Sequence, residues 1–109
     1  MVDHQCYASD CDKIDDIKIY GLYELQPDDV NGRPYFKMGS KGIYWDGIDR
    51  WWIGADSSKG QSIGLAYYVK DAFCPHLLTE WNWNVLDEGT WRSAEKSVVI
   101  SCKYIFCKA

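Results

Sequence analysis

Aromatic side chains are the residues of this chain with the most chemistry to offer. Six Trp, eight Tyr and three Phe make up 16% of its 109 residues. Trp45, Trp51, Trp52, Trp81, Trp83 and Trp91, with Tyr44, Tyr67 and Tyr68, form the set of interest. Sugar rings present C–H faces that lie on aromatic faces, and neighbouring Asn, Asp and Arg groups fix the hydroxyls. On that logic the candidate ligand-binding residues are Trp51, Trp52, Tyr44, Asn82, Asn84 and Asp46. Trp51 and Trp52 are adjacent, so on a strand they point to opposite faces. If one face is solvated, one of the two rings is exposed. Asn82 and Asn84 alternate with Trp81 and Trp83, which puts amides and indoles on opposite sides of one strand. The competing reading of each Trp is core, because small β domains use the indole as a large apolar payload.

Five cysteines, Cys6, Cys11, Cys74, Cys102 and Cys107, are the second chemical signal. Their density in a short chain reads as a disulfide framework made in an oxidising compartment. A zinc site is the weaker reading, since there is no C-x-x-C and His4 and His76 lack ligand spacing. Cys6 and Cys11 are five apart, as are Cys102 and Cys107. Two nested bridges, Cys6–Cys107 and Cys11–Cys102, would therefore fit one antiparallel register. Each would close a loop of roughly 90 to 100 residues, worth ~4 kcal/mol in the chain-entropy account. A bulge near Ser9 and Asp10 would reconcile both bridges with one ladder. The competing scheme pairs Cys74 with Cys102. Nesting leaves Cys74 as a free or intermolecular thiol, and so allows a disulfide-linked dimer. Its place two residues before His76, across Pro75, suits a disulfide or a buried thiol better than a cysteine–histidine dyad.

Carboxylates give less. Asp10, Asp12, Asp15 and Asp16 are an oxygen-rich run of the kind calcium uses, but the glycine and glutamate of an EF-hand loop are missing. A solvated N-terminal loop explains them as well, so no metal or other cofactor is expected. A glycosidase pair could be assembled from Glu24, Glu80, Asp87, Glu88 or Glu95, and the spacing selects none. No G-x-S-x-G elbow occurs. Catalysis is the minority expectation.

Composition bounds the class. Hydrophobic residues are 47% and charged residues 26%, which rules out a disordered chain. Lys and Arg number 12 against 16 Asp and Glu, for a net charge of −4. A protein that gains affinity by neutralising phosphates is basic, so nucleic acid and anionic membranes are poor partners. No apolar run approaches the roughly 18 to 20 residues of a membrane-spanning helix, so no membrane insertion is expected. Residues 1–5, Met-Val-Asp-His-Gln, lack a leader pattern. Met1 reads as the start of a mature form, and the secreted, extracellular expectation rests on the cysteines alone.

The elements that must position these residues are short strands. Residues 17–25 alternate, with Ile17, Ile19, Tyr23 and Leu25 on one face. Turn chemistry follows at 26–29 and at Asn31-Gly32. Residues 35–37 make a strand and 39–42 a turn. Residues 43–46 and 50–54 flank 47–49, a hairpin with a three-residue loop. A loop at 56–60 precedes a strand at 62–69, and 70–76 is irregular around Pro75. Residues 81–85 alternate, with Trp81, Trp83 and Val85 on one face. Residues 87–89 turn the chain, and 90–96 suit one helical turn. The last and longest strand is 98–107. The fold class expected is all-β, a small antiparallel sandwich or barrel of about seven strands, disulfide-stabilised. A single domain spans 1–109, with 1–13 a disulfide-tethered N-terminal segment and 14–107 the core module.

Several of these residues form a pattern met elsewhere. Val30-Asn31-Gly32-Arg33-Pro34-Tyr35-Phe36, Tyr44-Trp45, Trp51-Trp52-Ile53-Gly54 and Gly89-Thr90-Trp91 resemble a small secreted β module. That module carries V-N-G-R-P-x-Y/F, W-x-I-G and G-x-W in extracellular proteins of invertebrates and protists. The resemblance covers residues 14–102 and implies fold and location, not activity. A second resemblance, at Trp52-Ile53-Gly54-Ala55, Trp83-Asn84 and Ile105-Phe106-Cys107, is to C-type lectin domains. It does not extend to their early helices, Glu-Pro-Asn motif or cysteine spacing.

The reading of the sequence is therefore a secreted, non-catalytic recognition module that binds carbohydrate, lectin-like, through exposed aromatics. The alternative is an extracellular protein-interaction or structural module without a small ligand, and the minority reading is a small glycoside hydrolase. A glycan or an extracellular protein is the expected partner.

Overall fold

Pairs of short alternating segments separated by glycine turns leave the chain little choice but to zigzag. A computed structural model describes residues 5–9, 19, 21–78, 83–87, 89–93 and 99–103. The strands are β1 (Gln5–Ser9), β2 (Gly21–Leu25), β3 (Phe36–Met38), β4 (Lys41–Trp45), β5 (Arg50–Ala55), β6 (Ala66–Val69), β7 (Asn84–Asp87), β8 (Thr90–Ser93) and β9 (Val99–Lys103). All pair antiparallel in one sheet of order β8-β7-β6-β5-β4-β3-β2-β1-β9. Strands β1 to β8 follow one another as a meander, and β9 returns to lie beside β1. The all-β antiparallel class holds, and among the described residues no α-helix occurs.

The central strands are buried on both faces. Ile43, Trp45, Trp51 and Ile53 point inward with Tyr23, Phe36, Ala66, Tyr68 and Val85, and Ile19, Ala72, Leu78 and Trp83 cover them. Tyr35, Tyr44 and Trp52 point outward into a second cluster, with Val30 and Tyr67 against it. The segment Pro75–Leu77, reached soon after β6, touches β9 at the far edge of the strand order. The sheet must therefore bend around its inner core.

Several boundaries differ from the sequence expectation. Ile19 is buried but sits in a turn, and β2 begins only at Gly21. The strand expected over 62–69 is confined to Ala66–Val69. Residues 90–93, expected as a helical turn, form β8, because Gly89 at φ +78° lets Asp87 and Thr90 close a hairpin. The strand expected over 98–107 is β9, Val99–Lys103, and 104–107 lie outside the described residues. The longest described strand is β5, six residues long.

The cysteine register also differs. The two terminal strands do pair antiparallel, but Cys6 faces Cys102, five residues from the expected Cys107. Position 5–9, read from the spacing as part of a tethered segment, is a full strand between β2 and β9. Cys74 is fully buried and disulfide-bonded, which corrects the expectation of a free or intermolecular thiol there. Its partner sulfur is not among the described side chains. Cys11, Cys107 and the aspartates at 10, 12, 15 and 16 lie outside the described residues.

Candidate functional site

Asp46 directly follows β4 and is the anchor of its hairpin. Trp45 pairs with Trp51, and the Asp46 amide donates to the Arg50 carbonyl at 3.1 Å, closing the three-residue loop expected at 47–49. Asp46 Oδ1 accepts from the backbone N–H groups of Ile48, Asp49 and Arg50 at 2.9, 3.1 and 3.1 Å. Its Oδ2 accepts from Trp52 Nε1 at 3.0 Å and Ser62 Oγ at 2.9 Å. Burial alone would raise its pKa. The Trp52 indole, the Ile48 and Arg50 amides and the Ser62 hydroxyl together hold it below the usual carboxylate value. With five donors on two oxygens, the carboxylate is spent on the fold.

The outer aromatics lie where glycines leave room. A Cβ at Gly42 would come within 2.5 Å of the Tyr35 ring, one at Gly54 within 2.5 Å of the Tyr44 hydroxyl, and one at Gly64 within 2.9 Å of the Trp52 ring. Tyr44 donates its hydroxyl to the Ile63 carbonyl, and burial pushes its pKa up to about 12. The Trp-Ile-Gly run thus has a packing reason: the glycine is the floor under a tyrosine from the next strand.

The Val30-Asn31-Gly32-Arg33 run has one too. Val30 and Arg33 exchange backbone hydrogen bonds at 2.9 and 3.2 Å around Asn31 (φ +53°) and Gly32 (φ +78°), the twist of a two-residue hairpin. Asn31 Nδ2 donates to the carbonyls of Trp45 at 2.9 Å and Gly60 at 3.0 Å. The Arg33 guanidinium lies 3.7 Å over the Trp45 ring and donates to the Ala72 carbonyl at 2.7 Å and to Asp71 at 2.5 Å. This hairpin ties two loops, those after β5 and β6, to the end of β4.

The six candidate ligand residues are only partly brought together. Trp51 and Trp52 do take opposite faces, as adjacency requires. Trp51 is 0% exposed, with its indole N–H donating to the Ala72 carbonyl at 2.6 Å. Trp52 is only 4% exposed, because the outer face at this point is covered rather than solvated. Tyr44 and Asp46 are buried beside it. Asn84 faces Tyr67 across β6 and β7, which places it on the outer face, opposite to buried Trp83. Asn82 lies outside the described residues.

Another ring supplies the exposure. Trp91, on β8, is 41% exposed. It meets Tyr67 at 4.9 Å and Trp52 at 5.9 Å, both edge-on, while Trp52 and Tyr67 meet at 5.2 Å. The Arg50 guanidinium lies 4.5 Å over the Tyr67 ring. The outer face at this end therefore carries a braced aromatic patch of Trp52, Tyr67 and Trp91, with Arg50 and Asn84 around it. Sequence reasoning placed Trp91 in the aromatic set but not on the site, since 90–96 was read without a strand. The Gly89-Thr90-Trp91 turn signal was the clue that β8 folds back over β7.

Among the described residues two carboxylates have displaced pKa values, Asp46 and Asp56, and both are lowered. For Asp56 the Tyr35 hydroxyl is the main cause, with Lys37 and Lys59 adding to it against some desolvation. Neither of these two therefore has the raised value of a glycosidase acid. Among the described residues no group of three or more His, Cys, Asp or Glu is placed to hold a metal ion. Comparison with family models, curated proteins and solved structures gives no match for the chain.

Proposed function

We propose that the chain is a secreted, disulfide-clipped, non-catalytic recognition module that binds carbohydrate on its outer face, with Trp91 as the stacking ring. The exposure of Trp91 carries this reading. Among the described tryptophans, Trp45, Trp51, Trp52 and Trp83 are buried, and only Trp91 offers a ring to solvent. A ring braced edge-on by two others loses little freedom on binding, which favours affinity. Arg50 and Asn84 supply polar groups for sugar hydroxyls beside it. The Trp51 and Trp52 rings contribute core and bracing rather than contact.

A glycan array with wild type and Trp91→Ala tests the reading. Retention of wild type on a defined glycan class is expected, with a loss of about tenfold in the variant, the scale of one aromatic contact. Retention unchanged in a folded Trp91→Ala protein would move the site elsewhere. Retention of wild type on no glycan would sink the carbohydrate reading. One observation favours the protein-interaction alternative: all four residues of edge strand β8 are exposed, and an exposed edge accepts a partner strand.

A further inference from the structure

A concavity that shares no lining residue with the Trp91 patch adjoins the outer cluster at Val30 and Tyr35. The turn after β2, strand β3 and the loop after β5 line a half-open cavity of about 220 Å³. Its walls are fixed by the fold. The Gln26 amide donates to the Tyr35 carbonyl at 2.8 Å, the Asp56 amide to the Ser40 carbonyl at 2.8 Å, and Asn31 Nδ2 to the Gly60 carbonyl at 3.0 Å. The volume is below the roughly 300 to 1,000 Å³ of drug-sized sites, so an occupant must be small.

The charges on the two walls are of opposite sign. On one, Lys37 and Lys59 each approach Asp56 at 3.6 Å, and the Tyr35 hydroxyl donates to the same carboxylate. Each ammonium has three N–H groups and approaches the carboxylate no closer than 3.6 Å, so N–H groups remain for another acceptor. Two lysines on one carboxylate leave that wall with one net positive charge. On the other, Asp28 and Asp29 line the cavity and, among the described residues, form no ion pair. An anion entering alone meets the two aspartates, and a cation entering alone meets the two lysines. A molecule carrying both charges meets an opposite charge at each end.

We propose that this cavity binds a small zwitterion of amino-acid size, with its ammonium toward Asp28 and Asp29 and its acidic group toward Lys37 and Lys59. The site is separate from the carbohydrate reading and stands or falls without it.

An amide NMR titration of the whole chain at low ionic strength tests this. The probes are glycine, 4-aminobutyrate and 6-aminohexanoate, which bracket the charge separation, with butylamine and butyrate as single-charge controls. At least one zwitterion should shift the amides around 26–30 and 56–60 saturably, with a Kd about tenfold or more below that of either control. Asp28→Asn with Asp29→Asn, and separately Lys59→Gln, should each weaken it by about tenfold while the remaining spectrum stays that of wild type. Lys37→Gln serves the same purpose should Lys59→Gln perturb the fold. The proposal is overturned by no saturable shift with any of the three, by controls that bind equally well, or by variants that bind like wild type.

Discussion

At the residue scale, Asp46 shows how much one side chain can decide. Three turn amides, an indole and a hydroxyl all point at one carboxylate, so the turn after β4 and the ring of Trp52 share a single anchor. An asparagine would keep the volume but turn one acceptor into a donor facing donors. Asp46→Asn should cost about 2–4 kcal/mol at neutral pH, read by urea denaturation. The depressed pKa adds a pH dependence of defined sign. The folded state keeps Asp46 ionised below the unfolded value of about 3.9, so its stabilisation is complete above that pH and is lost as pH falls through the folded value. Wild type should lose more stability than Asp46→Asn as pH drops below about 4. Equal acid losses in the two proteins would show that Asp46 is not the group responsible.

At the scale of the element, the central strands carry aromatics on one strand and glycines on its neighbour. Tyr44 on β4 reaches over Gly54 on β5, and Trp52 on β5 lies against Gly64 in the connection to β6. Backbone and ring pack where two side chains would collide. Gly54→Ala would put its Cβ 2.5 Å from the Tyr44 hydroxyl and 2.7 Å from the Gly64 Cα, and the second of these is backbone that cannot swing aside. A loss of about 2–3 kcal/mol is expected in chemical denaturation, the range of an overpacked site. A loss under about 0.5 kcal/mol, ordinary for surface positions, would mean that the strands slide apart freely.

At the scale of the molecule, the pairing of β1 with β9 joins the two ends of the described chain in one sheet and sets the cysteine geometry. Cys6 faces Cys102, and buried Cys74 lies next to the segment that touches β9. Non-reducing peptide mapping should find Cys74 protected from alkylation and no Cys6–Cys107 peptide. Alkylation of Cys74 in the unreduced protein, or recovery of Cys6–Cys107, would refute this register.

What could be read from the sequence was whatever depends on neighbours along the chain. Period-two alternation placed Tyr23, Trp83 and Val85 inward, and adjacency split Trp51 from Trp52, because a strand allows nothing else. The three-residue loop at 47–49 and the hairpin tendency of Asn31-Gly32 followed from local turn chemistry in the same way. Tertiary structure decided what depends on distant segments. Trp52 is buried because Tyr67 and Trp91 arrive from other strands, and Asp46 is committed to the fold because Ser62 and Trp52 reach it. The five-residue spacing of the cysteines fitted more than one register, since a ladder can slip while the spacing stays the same. The tertiary pairing placed Cys6 opposite Cys102. Exposure and register are properties of the assembled sheet, summed over contacts far apart in the chain, and no local pattern encodes them.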